Sequence, residues 1–243
     1  MLDLEFKSGL ATITLQRASS GNSLASELVE SLLEVMQRVW REPGVHTVLL
    51  RGEGRHFCTG FDLHGLEDQS DGDLLHRFVR IELLLASLWH APTRTAVIAS
   101  GRTWGAGADI VAACDIRVAC EATRFRFPGA GFGIVLGTRR LAERVGEDIA
   151  RRWVIDSIEV TAAEAHAAGL VTDLVAPEDQ NAWISDRLRQ PTTPPPVVAA
   201  LHRASRCDLR DVDLASLVRS AAIPGLRQRI ATYAGRGRKE ASS

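Results

Sequence analysis

Twice in its first half the chain passes from a short apolar run, through a glycine-bearing turn, into an apolar helical pattern. Val45 to Arg51 is the first such run, and the glycine-rich stretch Gly52 to Leu66 leads from it, by way of the polar Asp68 to Asp73, to a helical pattern over Leu74 to His90. Thr95 to Ala99 is the second. It enters Ser100-Gly101-Arg102-Thr103-Trp104-Gly105-Ala106-Gly107, then a buried-helix pattern over Ala108 to Cys114 and a return strand at Ile116 to Ala119. Short runs bounded by glycine read as buried strands, and their alternation with helices predicts an α/β fold. The first N–H groups of a helix have no partner inside it and point outward with the positive end of the dipole, so such turns can hold an anion or an oxygen that becomes anionic during reaction. Equally, a glycine there can serve only tight packing.

Upstream, Leu10 to Leu15 alternates as a strand, and Leu24, Leu28, Leu32, Val35 and Val39 recur at helical spacing, predicting a helix from Asn22 to about Arg41. The loop 52 to 73 is expected to move. Downstream, Pro191 and Pro194 to Pro196 read as an extended hinge, followed by helices at 197–204, 214–222 and 226–233 and a disordered tail from Gly235 to Ser243. The expected organisation is a core over 1–190, a helical region over 191–234 and the tail 235–243.

Several chemistries fall away. Charges nearly cancel, 29 Lys+Arg against 30 Asp+Glu, and aromatics are only 5%, so neither an electrostatic footprint nor stacking platforms point to nucleic acid. The lysines are Lys7 and Lys239, both near the ends, which leaves no interior lysine for Schiff-base chemistry. Four cysteines without CxxC spacing suggest reduced thiols and a cytoplasmic protein. No apolar run reaches membrane-span length, and the histidines lack zinc spacing, so neither a membrane nor a metal partner is expected. GxSxG is missing, and neither glycine pair completes a dinucleotide fingerprint.

His56-Phe57-Cys58-Thr59-Gly60-Phe61-Asp62-Leu63 resembles the first signature of the crotonase, or enoyl-CoA hydratase/isomerase, superfamily. Gly105-Ala106-Gly107-Ala108-Asp109-Ile110-Val111-Ala112-Ala113-Cys114-Asp115 with Ile116 to Ala119 resembles the second, and Thr161 to Val171 resembles a later segment. The resemblance spans about residues 3 to 190. It implies a ClpP/crotonase-like spiral of ββα repeats with a C-terminal helical region, assembled as a homotrimer or dimer of trimers. It further implies an acyl-CoA thioester as substrate, coenzyme A entering as part of that substrate and no permanently bound cofactor. The N–H groups of Phe61 and Ala106 would form the oxyanion hole, and Gly60, Asp62, Leu63, Gly105, Gly129 and His64 would line the substrate.

Departures from the family pattern bear on the reaction. Ala106 replaces a glycine, and its Cβ would crowd a ligand or oppose a positive φ. The first catalytic carboxylate position falls on Asp109, one methylene shorter than the usual glutamate; it reads either as the acid/base or as a structural aspartate at a helix start. The second falls on Gly129, which cannot move a proton, and no Asp or Glu lies between Glu121 and Glu143 to replace it. His64 reads as an alternative proton donor or a solvated loop histidine. Arg139 and Arg140 read as ligands of the acyl group or CoA phosphates, or as surface arginines. Cys58 reads as a small packing residue, and Asp115 as structural. Three functions stay open: an enoyl-CoA hydratase/isomerase-type lyase or isomerase, an acyl-CoA hydrolase or decarboxylase, and a non-catalytic acyl-CoA binder.

Overall fold

The computed structural model describes residues 1–188 and 193–240, with the side chains of 236–240 left undescribed. Its unit is a strand for the main sheet, a second extended segment turned out of that sheet, and a helix laid back across it. The first unit holds β1 (Leu2–Lys7), β2 (Leu10–Leu15) and α1 (Ser26–Arg41), and the second β3 (Thr47–Gly52) and α2 (Asp71–Trp89). In the third, β4 (Arg94–Ala99) and β5 (Arg102–Trp104) lead to α3 (Ala106–Ala113); in the fourth, β6 (Ile116–Ala119) and β7 (Arg124–Arg126) lead to α4 (Thr138–Val145). After α5 (Glu147–Ile155), β8 (Val160–Thr161), α6 (Ala162–Ala167) and β9 (Asp173–Leu174) the chain becomes helical: α7 (Gln180–Arg187), α8 (Pro195–Ser205), α9 (Arg210–Ala221) and α10 (Leu226–Glu240).

The main sheet has the order β1-β2-β3-β4-β6-β9, parallel except for the β1–β2 hairpin. A smaller sheet, β5-β7-β8, is continued by single bridges, Cys58 to Thr103 and Leu24 to Phe61. These bridges stack the out-turned segments of successive units side by side, which brings the two glycine turns together. The principal core lies between the main sheet and the helices, with α1 contributing Leu28, Leu32, Met36 and Val39 from one face. Each such side chain contributes about 1.5–3 kcal/mol on burial. The opposite sheet face is covered by Trp183, Ile184 and Leu188, and a third cluster joins α2 to α9 and α10 through Leu74, Phe78, Leu217 and Ile230.

The structure corrects several boundaries. Asn22 lies before the first helix, in a left-handed conformation with φ of 54°, and donates to the carbonyls of Glu53 and His56. The second helix starts at Asp71 rather than Leu74, because Ser70 and Asp73 form a reciprocal capping box. Asp71 accepts from the N–H groups of Gly225, Leu226 and Arg227, which ties the loop expected to move to the start of α10. Pro194 and Pro195 open α8, proline being suited to a first helical turn, so only part of the expected hinge is extended; Pro191 lies outside the described residues. The helix α10 runs to Glu240, so 235–240 are not the disordered tail expected, and 241–243 lie outside the described residues.

Asp115 is structural, as expected. It accepts from the Thr95 N–H and hydroxyl and pairs with His202 and Arg206, fastening α8 to the junction of α3 and β6. These partners hold its carboxyl well below the usual range despite burial, and hold the His202 imidazole above its ordinary value.

Candidate active site

Gly60 and Gly105 take φ values of 94° and 51°, which side chains rarely tolerate. A Cβ on Gly60 would also stand 2.7 Å from the Trp104 carbonyl oxygen, and one on Gly107 would fall on the carbonyl of Cys58. The two turns can therefore meet only as glycine-bearing backbone. Where they meet, the Trp104 N–H donates to Cys58 O (3.1 Å), Gly105 N–H to Arg126 O (2.8 Å) and Leu24 N–H to Gly60 O (2.8 Å). Among the described residues no acceptor is found for the N–H of Phe61 or of Ala106. Ala106 opens α3, where an N–H has no partner within the helix. Its backbone is not among the positive-φ positions, so the Cβ is carried without strain; the left-handed turn falls on Gly105 instead.

One turn into α3, Asp109 is 5% exposed and lines the cavity in front of these N–H groups. Its carboxylate rests against Gly137, in space that a Cβ there would occupy. Among the described residues no hydrogen bond reaches that carboxylate. Burial pushes its pKa well above the ordinary value; the Arg140 charge opposes this and the Glu82 charge adds to it. Arg140 and Glu82 form a buried pair, 3.0 and 2.5 Å between guanidinium and carboxylate, joined by Asp213 at 3.2 Å.

The cavity holds about 450 Å³. Phe61, Leu63, Gly105, Ala106, Asp109 and Gly129 of the sequence-derived set line it. Among the described residues, Asp109 is the one carboxyl group that lines it. Gly129 contributes only backbone, in the 3-10 turn Pro128–Phe132. Asp62 does not line it: this residue pairs with Arg17 at 2.9 Å and accepts from the His64 N–H. His64 is exposed and also outside the lining. Arg139 and Arg140 are neither cavity residues nor ordinary surface arginines, being held by Asp213, Glu143 and Glu82. Cys58 is fully buried, its thiol pushed up to about 12, consistent with a packing role.

Sequence reasoning missed the remaining wall. The guanidinium groups of Arg102 and Arg126 both lie against the indole of Trp104, 4.9 and 5.7 Å from its ring centre. The tail adds Ile230, Tyr233 and Ala234 to the lining. Arg102 also lines an adjoining cleft of about 530 Å³, where Arg51, Arg55, Arg124 and His56 face a single carboxylate, Glu159. An apolar chamber and an arginine-lined cleft thus share one wall. Among the described residues no group of His, Cys, Asp and Glu is placed to hold a metal, and no helix is long and apolar enough to cross a membrane.

Residues 5–219 match the family model described as enoyl-CoA hydratase/isomerase. A Bordetella parapertussis protein, provisionally named an enoyl-CoA hydratase/isomerase, has a crystal structure that superposes with a TM-score of 0.92 at 41% identity, covering 96% of this chain and 97% of that one. A provisionally named enoyl-CoA hydratase of Mycobacterium leprae is 30% identical over 76% of each chain. The short-chain-enoyl-CoA hydratase of Clostridium acetobutylicum is 29% identical over 85% of this chain and 82% of its own.

Proposed function

The chain belongs to the enoyl-CoA hydratase/isomerase family, and from that premise we propose that it shifts a double bond within an acyl-coenzyme A thioester. The supporting observation is that Asp109 is the one carboxyl group among the described residues that line the cavity. Adding water to an enoyl thioester calls for groups that position the water and also deliver a proton, whereas a 1,3-proton shift needs one group that takes a proton from one carbon and returns it to another. Asp109, which lines the cavity, suits the second task, and Gly129 offers no side chain for the first.

In this reading the thioester oxygen sits between the N–H groups of Phe61 and Ala106. As Asp109 takes the proton, the electron pair moves towards that oxygen, and the two N–H groups with the α3 dipole stabilise the enolate charge. Asp109 then returns the proton two carbons away, so no water enters and no thioester bond breaks. Its raised pKa narrows the gap to a weakly acidic carbon. The arginine-lined cleft is suited to the phosphates of coenzyme A, and the chamber to the acyl group. No resident cofactor or metal is required, and the protein is proposed to work in the cytoplasm as a trimer or pair of trimers.

Incubation of 3-enoyl-CoA thioesters in deuterated water, followed by mass spectrometry, tests the reaction. Isomerisation with the substrate's own hydrogen largely conserved and little deuterium incorporated is expected, because Asp109 is buried and returns the proton it took; net addition of water would make the protein a hydratase, release of free coenzyme A a hydrolase, and no turnover a binder. The cleft has its own test. Arg55→Ala combined with Arg124→Ala is expected to weaken coenzyme A binding about tenfold, more at low salt than high, because phosphate contacts by arginine are charge-assisted. Calorimetric Kd values unchanged by the pair would place the phosphates elsewhere.

A further inference from the structure

We propose that the acyl group this cavity accepts is an uncharged aryl group, an inference that rests on the acyl-thioester reading above. The chain is poor in aromatic residues, with thirteen Phe, Trp and Tyr in all. Six of them line this one cavity: Phe61, Phe78, Trp104, Phe127, Phe132 and Tyr233. Composition alone would scatter them through the core.

Their geometry is that of a partly assembled aromatic cluster. Phe61 and Phe78 stack at 4.4 Å between centroids, with the Arg77 guanidinium 4.0 Å over the Phe61 ring. Phe132 lies tilted to both its neighbours, 6.4 Å from Phe78 and 5.4 Å from Tyr233 with 59° between the latter planes. Rings inclined to one another offer a guest both faces and edges, the two complementary halves of the aromatic quadrupole, and a planar ring can use both at once. A flexible alkyl chain gains only contact area from the same wall.

One local contact sets the spacing of the cluster. The Tyr233 ring is seated over Gly131, where a Cβ would stand 2.8 Å from it, so glycine at this position sets how closely α10 approaches the turn. Tyr233 is also the single tyrosine of the chain. The lining charges are few: Arg102 and Arg126 lie against the Trp104 indole, and Asp109 is buried at the oxyanion end. Among the described residues of the Phe78, Phe132 and Tyr233 wall no lining side chain carries a charge to partner a charged acyl group, and desolvating such a group there would be costly. The volume, about 450 Å³, lies within the range of preformed small-molecule sites and leaves a four-carbon acyl group with much of the wall uncontacted.

Calorimetric titration of the full chain with coenzyme A, butanoyl-CoA, octanoyl-CoA and 3-phenylpropanoyl-CoA, none of which has a double bond to shift, tests the inference. The aryl thioester is expected to bind at least tenfold more tightly than butanoyl-CoA and more tightly than octanoyl-CoA. Phe132→Leu and Tyr233→Leu, each shown to be folded by circular dichroism, are expected to cut the aryl-over-butanoyl ratio below threefold. Equal binding of all three thioesters, or tighter binding of octanoyl-CoA, overturns the aryl assignment and leaves the thioester reading standing. Failure of every thioester to bind removes that reading and this inference together.

Discussion

Asp109→Asn is expected to lower kcat by about 10²–10⁴-fold while leaving the Kd for an acyl-CoA thioester within a factor of two or three. The substitution keeps the shape of the side chain against Gly137 and removes only its capacity to carry a proton. The two N–H groups that would hold the thioester oxygen belong to other residues and stay in place. Unchanged kcat would remove Asp109 from the reaction. The same variant is expected to be more stable than the parent near neutral pH. Burial raises the folded-state pKa of Asp109, so between the unfolded value of about 3.9 and that raised value the folded chain retains a proton the unfolded chain has lost. Stability therefore declines as pH rises through this window, and above it the full cost of the buried charge is felt. Asparagine carries no such cost. A gain of at least about 1 kcal/mol, or ~2–4 °C in Tm, is expected at pH 7.5 and should vanish below about pH 4. In the parent enzyme the rising limb of kcat against pH should lie above the ordinary carboxylate range, since the proton-accepting form appears only there.

What the sequence reveals about this site, and what it conceals, follows from how local each determinant is. The meeting of two glycine turns is legible because glycine is demanded by the backbone itself, at Gly60 and Gly105 by positive φ and at Gly107 by the Cys58 carbonyl beside it. Asp109 is legible as a position one turn inside a helix that begins at such a turn. The first strand, Leu2–Lys7, is not: it is an edge strand, exposed along most of its length, and its charged Asp3, Glu5 and Lys7 give it the composition that protects an edge rather than the signature of a buried strand. The polar stretch before α2 conceals a helix start, because the residues that favour loops, Ser70 and Asp73, are also those that cap helices. The far wall of the cavity is concealed for a different reason. Tyr233 reaches Phe132 across 101 positions of chain, and no pattern within either segment announces that contact. Arg139 and Arg140 look like a basic pair at a helix start until α2 and α9 bring Glu82 and Asp213 against them.

Arg140→Leu is expected to produce the largest loss of stability among single substitutions here, about 3–5 kcal/mol in chemical denaturation. The Arg140 and Glu82 side chains are only 1% and 2% exposed, and Asp213 is 10% exposed. Removing the cation leaves the Glu82 carboxylate in the interior with the cost of its burial no longer opposed by its hydrogen-bonded partner. Against a total of about 5–15 kcal/mol for a domain, such a loss brings folding near its threshold. Replacing both members, Glu82→Leu with Arg140→Leu, should recover much of it, because the pair's mutual attraction mainly offsets the cost of burying each charge, and Asp213 keeps Arg139 at 2.6 Å. Additive losses in the double variant would mean that the two side chains are not coupled and that each is held by other partners. The two charges also act on Asp109 in opposite senses, Arg140 lowering its pKa and Glu82 raising it. Glu82→Gln, which keeps the shape of the pair, should therefore move the rising limb of kcat to lower pH, and the size of that movement measures how far a charge pair outside the cavity sets the proton affinity within it.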